Sequence, residues 1–182
     1  MRYSTILVFI LIFSEVTAQQ QTQIQPSLEN HLLKGSLLFF PSISYEGKIA
    51  KDHAYKLEVG TSPTLFQFFD QFRLGVFLKL EAQYKYYYNL KRRASKGKMT
   101  NGNSGNFINL MFQYNDDQDL FGGTERLEDT YFVGPAWGFQ RTYPSGFNFL
   151  VELGIGYQHT VDDGGRPLPI IGFELGWVLF KK

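Results

Sequence analysis

The stretch Arg73 to Lys91, RLGVFLKLEAQYKYYYNLK, carries one side-chain pattern from end to end. Leu74, Val76, Leu78, Leu80, Ala82, Tyr84, Tyr86, Tyr88 and Leu90 fall on one parity. Gly75, Phe77, Lys79, Glu81, Gln83, Lys85, Tyr87, Asn89 and Lys91 fall on the other. Successive side chains of a strand point to opposite faces, so the stretch reads as one long two-faced strand. A helix, at about 3.6 residues per turn, would mix the two sets on every face.

The same period of two recurs on both sides of this stretch. Asn148 to Val161 sets Phe149, Val151, Leu153, Ile155 and Tyr157 against Glu152, Gly154, Gly156, Gln158 and Thr160. The last segment sets Ile171, Phe173, Leu175, Trp177 and Leu179 against Gly172, Glu174, Gly176, Val178 and Phe180. Tyr131 to Tyr143 and Asn106 to Asn115 alternate in the same way. Tyr55 to Phe66 and Ser42 to Lys48 do so less regularly, and a strand over Leu32 to Phe39 completes eight. Pro41 then falls in the connection after the first strand, where a missing N–H does little harm.

Alternation alone does not say which face is buried. Three features point the apolar face outward, towards lipid. Glycine recurs on the polar faces (Gly60, Gly134, Gly138, Gly154, Gly172, Gly176), which suits the narrow interior of an eight-stranded barrel. The apolar faces end in aromatics such as Tyr84, Tyr86, Tyr88, Trp137 and Trp177, the residues that membrane interfaces favour. No amphipathic helix is available to cover an apolar sheet. The expected fold is therefore all-β, a closed antiparallel transmembrane β-barrel of eight strands in an up-and-down meander. Closure satisfies every backbone group without water.

The N-terminus reads as an export signal. Met1-Arg2 is a basic start, Ile6 to Phe13 is an apolar run, and Val16-Thr17-Ala18 is a small-residue cleavage site. Residues 1–18 are thus expected to be a signal peptide, 19–30 a flexible Gln-rich lead-in, and 31–182 the barrel domain, exported to the outer membrane. Eighteen basic and seventeen acidic residues nearly cancel, which gives no argument for a nucleic-acid partner. The chain has no Cys, so it is not a disulfide framework. No stretch after the signal offers the roughly eighteen uninterrupted apolar residues of a spanning helix.

With the N-terminus in the periplasm, short turns should follow even-numbered strands and external loops odd-numbered ones. Tyr143 to Gly146 is a tight turn of the first kind. Asp116 to Asp129 and Asp162 to Pro167 are expected external loops, and Ala94 to Gly105 an unusually long inner turn.

The polar faces would place Glu46, Glu58, Glu81, Glu152 and Glu174 in the lumen with Lys48, Lys56, Lys79 and Lys85. Opposite charges in a poorly solvated interior must pair, so they are expected to form a network that plugs the barrel. Lys91, Arg92, Arg93, Lys96 and Lys98 form a basic cluster at the inner turn, facing lipid headgroups or cell-wall polymer. Asp116, Asp117 and Asp119 belong to an acidic external loop, whose spacing is not that of an EF-hand. His159 with Thr160, Asp162 and Asp163 is the one candidate for catalysis. Adjacent strand residues point apart, however, so His159 and Thr160 do not converge. His31 and His53 lack metal-ligand spacing. No nucleophile elbow or phosphate loop is present.

The terminal run Phe173-Glu174-Leu175-Gly176-Trp177-Val178-Leu179-Phe180 resembles the C-terminal strand signal of Gram-negative outer-membrane proteins, here followed by two lysines. In that resemblance Phe173, Leu175, Trp177, Leu179 and Phe180 are what the barrel-assembly machinery reads. The layout after residue 18 is similar to small eight-stranded outer-membrane barrels. Ser44-Tyr45-Glu46 and the run Tyr86 to Arg93 resemble a group of such barrels of unknown role. The expected function is a non-enzymatic structural or surface-interaction barrel with a charge-paired lumen. It would need neither cofactor nor metal, and its partners would be outer-membrane lipid and lipopolysaccharide. A monomer is expected. The alternatives are a lipid-modifying barrel enzyme, such as a lipid A hydrolase, and a soluble secreted lipocalin-like binder.

Overall fold

The computed structural model describes residues 26–37, 41–68, 71–120, 129–160 and 164–182. The proposed signal peptide lies outside them, as do residues 19–25 of the lead-in. Eight strands run in chain order: β1 His31–Ser36, β2 Ser42–Ala50, β3 His53–Phe68, β4 Gln71–Tyr86, β5 Gly105–Asp119, β6 Thr130–Thr142, β7 Phe147–Thr160 and β8 Gly164–Lys181. A single short helix, α1 Leu90–Ser95, lies between β4 and β5. Each strand pairs antiparallel with the next, and β8 pairs with β1, so the meander closes into a barrel-like ring. The start of β1, the end of β8 and the β2–β3, β4–β5 and β6–β7 connections lie at one end, the terminal end. The opposite ends of the strands mark the loop end.

The ring is inside out relative to a water-soluble core. Leu57, Leu110, Leu153 and Ile171 are 51%, 55%, 50% and 78% exposed on the outer face, while Glu46, Lys56, Lys85 and Gln140 are 0% exposed within. The period of two read along Arg73 to Lys91 produces this directly, since one parity points in and the other out. Gly138 shows how tight the interior is. A Cβ there would lie 2.6 Å from Phe107 Cζ and 2.8 Å from the Val151 carbonyl oxygen.

Four expectations need correction. The long strand does not reach Lys91, because β4 ends at Tyr86. There the Tyr87 amide donates to the Asp52 carbonyl at 2.8 Å, and Tyr87 and Leu90 both turn into the end of the ring. Their spacing of three is helical, and α1 follows. The inner connection is thus a helical turn with a loop behind it.

Asp116, Asp117 and Asp119 are not in a loop, because β5 extends to Asp119 and keeps pairing with β4 beyond a register shift. Gly164 to Pro167, expected in the last external loop, begin β8 and pair with Tyr157 to Thr160. Asp162 and Asp163 lie outside the described residues.

Phe180, which strict alternation places inside, is 54% exposed. The pairing of β8 with β1 shifts between Leu33/Phe180 and Lys34/Val178, so Leu179 is an extra residue and Phe180 flips outward. Of the expected first strand, Leu32 to Ser36 is strand, and residues 38–40 lie outside the described residues.

Candidate functional site

The interior is a cup, closed at the terminal end and hollow towards the loop end. The closure begins with a buried apolar cluster of Leu28, Ala54, Tyr87, Leu90, Phe107 and Leu150. Leu28 comes from the Gln-rich lead-in, so the end of that segment is docked: the Glu29 amide donates to Asn103 Oδ1 at 2.8 Å. The β4–β5 loop folds into the ring. Asn103 adopts a left-handed φ of 56°, and its neighbour Gly102 one of 57°. Gly102 donates its amide to Glu29 Oε1 at 2.9 Å, and its carbonyl accepts from Gln140 and Thr142.

A lower ionic tier sits on this plug. Glu46 Oε2 lies 3.3 Å from Lys85 Nζ and 3.7 Å from Lys34 Nζ. Its other oxygen accepts from the Tyr87 hydroxyl at 2.7 Å and from Asn103 Nδ2 at 2.6 Å. Every acceptor direction of this buried carboxylate is used, which is what burial of a charge demands. Burial, with the Glu46 carboxylate beside it, holds the Tyr87 hydroxyl well above the usual phenol range, so it stays a donor. Lys34 Nζ also donates to Gln140 Oε1, and Lys85 Nζ stands 4.0 Å over the Phe107 ring.

An upper tier lies nearer the loop end. Lys56 contacts Glu58 at 2.6 Å, Glu81 at 3.2 Å, and Glu174. Lys79 contacts Glu58 at 2.6 Å and Glu81 at 3.2 Å. Glu152 is different. It accepts from Asn109 Nδ2 at 2.7 Å and Gln83 Nε2 at 3.3 Å, and no ammonium among the described residues lies within ion-pair reach. Above this tier is a cavity of about 380 Å³. Glu58, Lys79, Glu81, Glu152 and Glu174 line it together with Met111, Phe132 and Ile170.

Of the nine lumen residues expected from the alternation, eight (Glu46, Glu58, Lys56, Lys79, Glu81, Lys85, Glu152 and Glu174) enter one interior. Lys48 does not. It lies at the terminal end and donates to Ser27 Oγ at 2.6 Å. The alternation missed Lys34, because its strand is the least marked. It also missed Asn103, a loop residue that no periodicity could place.

Aromatic side chains ring the outer surface at the terminal end. His31 Nδ1 lies 2.5 Å from the Tyr45 hydroxyl, whose ring is 5.9 Å from that of Tyr55. His53 stacks on Tyr84 and Tyr86, and Trp137 Nε1 donates to the Tyr88 hydroxyl at 2.7 Å. Further round, Trp137 meets Phe139, Phe139 meets Phe149, and Phe147 meets Trp177. Both histidines therefore bond tyrosines.

Lys91, Arg92, Lys96 and Lys98 are exposed on and after α1, beside Tyr88, while Arg93 turns back to donate to the Met99 carbonyl at 2.9 Å. Asp116, Asp117 and Asp129 bring carboxylate oxygens within 4.8 Å of one another at the loop end. His159 is exposed on the outer face and Thr160 is half-buried, so the two diverge. Phe173, Trp177, Leu179 and Phe180 are exposed along β8, and Leu175 is half-buried. No helix among the described residues is long and apolar enough to cross a membrane. Compared with protein-family models, curated proteins and solved structures, the chain matches none.

Proposed function

We propose that this chain is a transmembrane β-barrel of a bacterial outer membrane, with a plugged, charge-paired lumen and a structural or surface-interaction role. The observation that carries the reading is the inverted burial. Leucine, isoleucine and valine are exposed on the outer face of strand after strand, while lysine, glutamate and glutamine are buried inside. In water an apolar belt of this extent would be an association hazard; in lipid it is the required surface. The aromatic ring at the terminal end of the belt fits the interfacial girdle of such barrels. A lipocalin-like binder needs the opposite arrangement, apolar residues lining the interior, and the exposed Leu57, Leu110 and Leu153 argue against it.

The plug supports a role other than conduction. Tyr87, Phe107, Leu90 and the Asn103 loop close the terminal end, and both ionic tiers are internally paired apart from Glu152. The exposed basic residues of α1 stand next to the girdle, where they would reach anionic headgroups of the adjoining leaflet. The exposed face of β8 is available to assembly machinery. The reading is tested by expressing the full chain with its export signal and fractionating the membranes. It predicts recovery in the outer-membrane fraction, extraction only with detergent, and a gel band that shifts on boiling. A detergent-free soluble monomer would overturn it.

A further inference from the structure

The loop-end cavity combines acidic and apolar lining residues and carries a charge deficit. Four carboxylates, Glu58, Glu81, Glu152 and Glu174, line it. Only two ammonium groups, those of Lys56 and Lys79, contact any of them within ion-pair distance among the described residues. Lys79 and Glu174 are the tier members that solvent reaches, with side chains 14% and 19% exposed. Glu152 sits deeper at 2% exposed and, among the described residues, accepts hydrogen bonds only from the side-chain amides of Gln83 and Asn109. Amide donors orient a carboxylate without neutralising it. Even with both Lys34 and Lys85 on Glu46, the five carboxylates of the two tiers exceed their four lysines. An ionised Glu152 therefore leaves one negative charge unmatched in a poorly solvated place. Met111 and Ile170, which line the same cavity, form an apolar cluster with Ala136, and Phe132 packs against it.

We propose that this cavity is a binding site for a small organic ammonium ion. Its charge would be matched by the acidic lining at Glu152, and its apolar body would lie on Met111, Phe132 and Ile170. The mixed lining selects for both properties together. A bare metal ion would gain nothing from the apolar residues, and a neutral apolar molecule would leave the charge deficit in place. At about 380 Å³ the cavity is large enough for a phenyl or short alkyl ammonium. The site lies inside the ring, so the proposal does not depend on what surrounds the outer face.

The test uses the purified full chain in detergent micelles, titrated calorimetrically with 2-phenylethylammonium and, separately, with the neutral 2-phenylethanol. Saturable binding of the ammonium is expected, with the alcohol weaker. Glu152→Gln keeps the shape and an acceptor but removes the charge, and it should weaken the ammonium by roughly tenfold or more with little effect on the alcohol. Phe132→Ala should weaken both. Circular dichroism reports whether each variant is folded, and Phe132→Ala carries the test if Glu152→Gln is not. Equal binding of ammonium and alcohol would mean that a proton on Glu152, not a ligand, corrects the charge, and the proposal would fall. It would fall equally if the ammonium bound no more than it partitions into empty micelles.

Discussion

Asn103 Nδ2 donates to Glu46 Oε1 at 2.6 Å, tying the β4–β5 loop to a carboxylate at the centre of the ring. The same carboxylate holds Lys85, Lys34 and Tyr87, so the plug and the lower ionic tier are one unit. Glu46→Ala leaves two buried ammonium groups without their counter-ion and should destabilise the fold by about 3–5 kcal/mol. Glu46→Gln, which keeps one acceptor, should cost less. Urea titration in detergent, followed by loss of the fast-migrating gel band, measures both.

Gly138 is the cross-strand partner of Phe107, and any side chain there must displace that ring or the Val151 carbonyl. Gly138→Val should cost about 1–3 kcal/mol by overpacking. In a Phe107→Ala background the penalty should shrink but persist, because the carbonyl stays. A double-mutant cycle on the gel-shift midpoint temperature reads the coupling.

Leu153 lies midway along β7 and points outward, 50% exposed. With lipid against that face, Leu153→Arg should destabilise by about 2–4 kcal/mol. Against water, the same change on an exposed strand position would stay within about 0.5 kcal/mol. Urea midpoints of the chain refolded into vesicles separate the two.

A closed terminal end predicts that the chain adds no large, stable conductance steps to a planar bilayer. Replacing both Tyr87 and Leu90 by alanine removes two members of the buried plug. Steps should then appear only in that variant. Steps from the unmodified chain would contradict the plug.

Much of this was legible in the residues because a period of two is a direct record of which side chains share a face. Lys79, Glu81 and Lys85 could be assigned inward from parity alone, and they lie inward. Parity fails wherever one residue breaks the count. The extra Leu179 turns Phe180 outward, and the step from Tyr86 to the helical pair Tyr87 and Leu90 ends β4 early. Asp116, Asp117 and Asp119 read as loop because acidic residues are poor strand formers, yet continued pairing with β4 keeps them in β5. Asn103 lies beyond any pattern argument. It reaches Glu46 only because a left-handed turn drives the loop into the ring, a tertiary event with no local signature.

Whether lipid surrounds the outer face can be read from the chain's two tryptophans, Trp137 and Trp177. Both stand in the aromatic ring at the terminal end, 39% and 41% exposed. The full chain, refolded into phosphatidylcholine vesicles, is compared with lipids brominated at shallow or at deep acyl positions. The account predicts strong quenching by the shallow bromines and weaker quenching by the deep ones. Tryptophan emission that neither lipid quenches would show the outer face in water and contradict it.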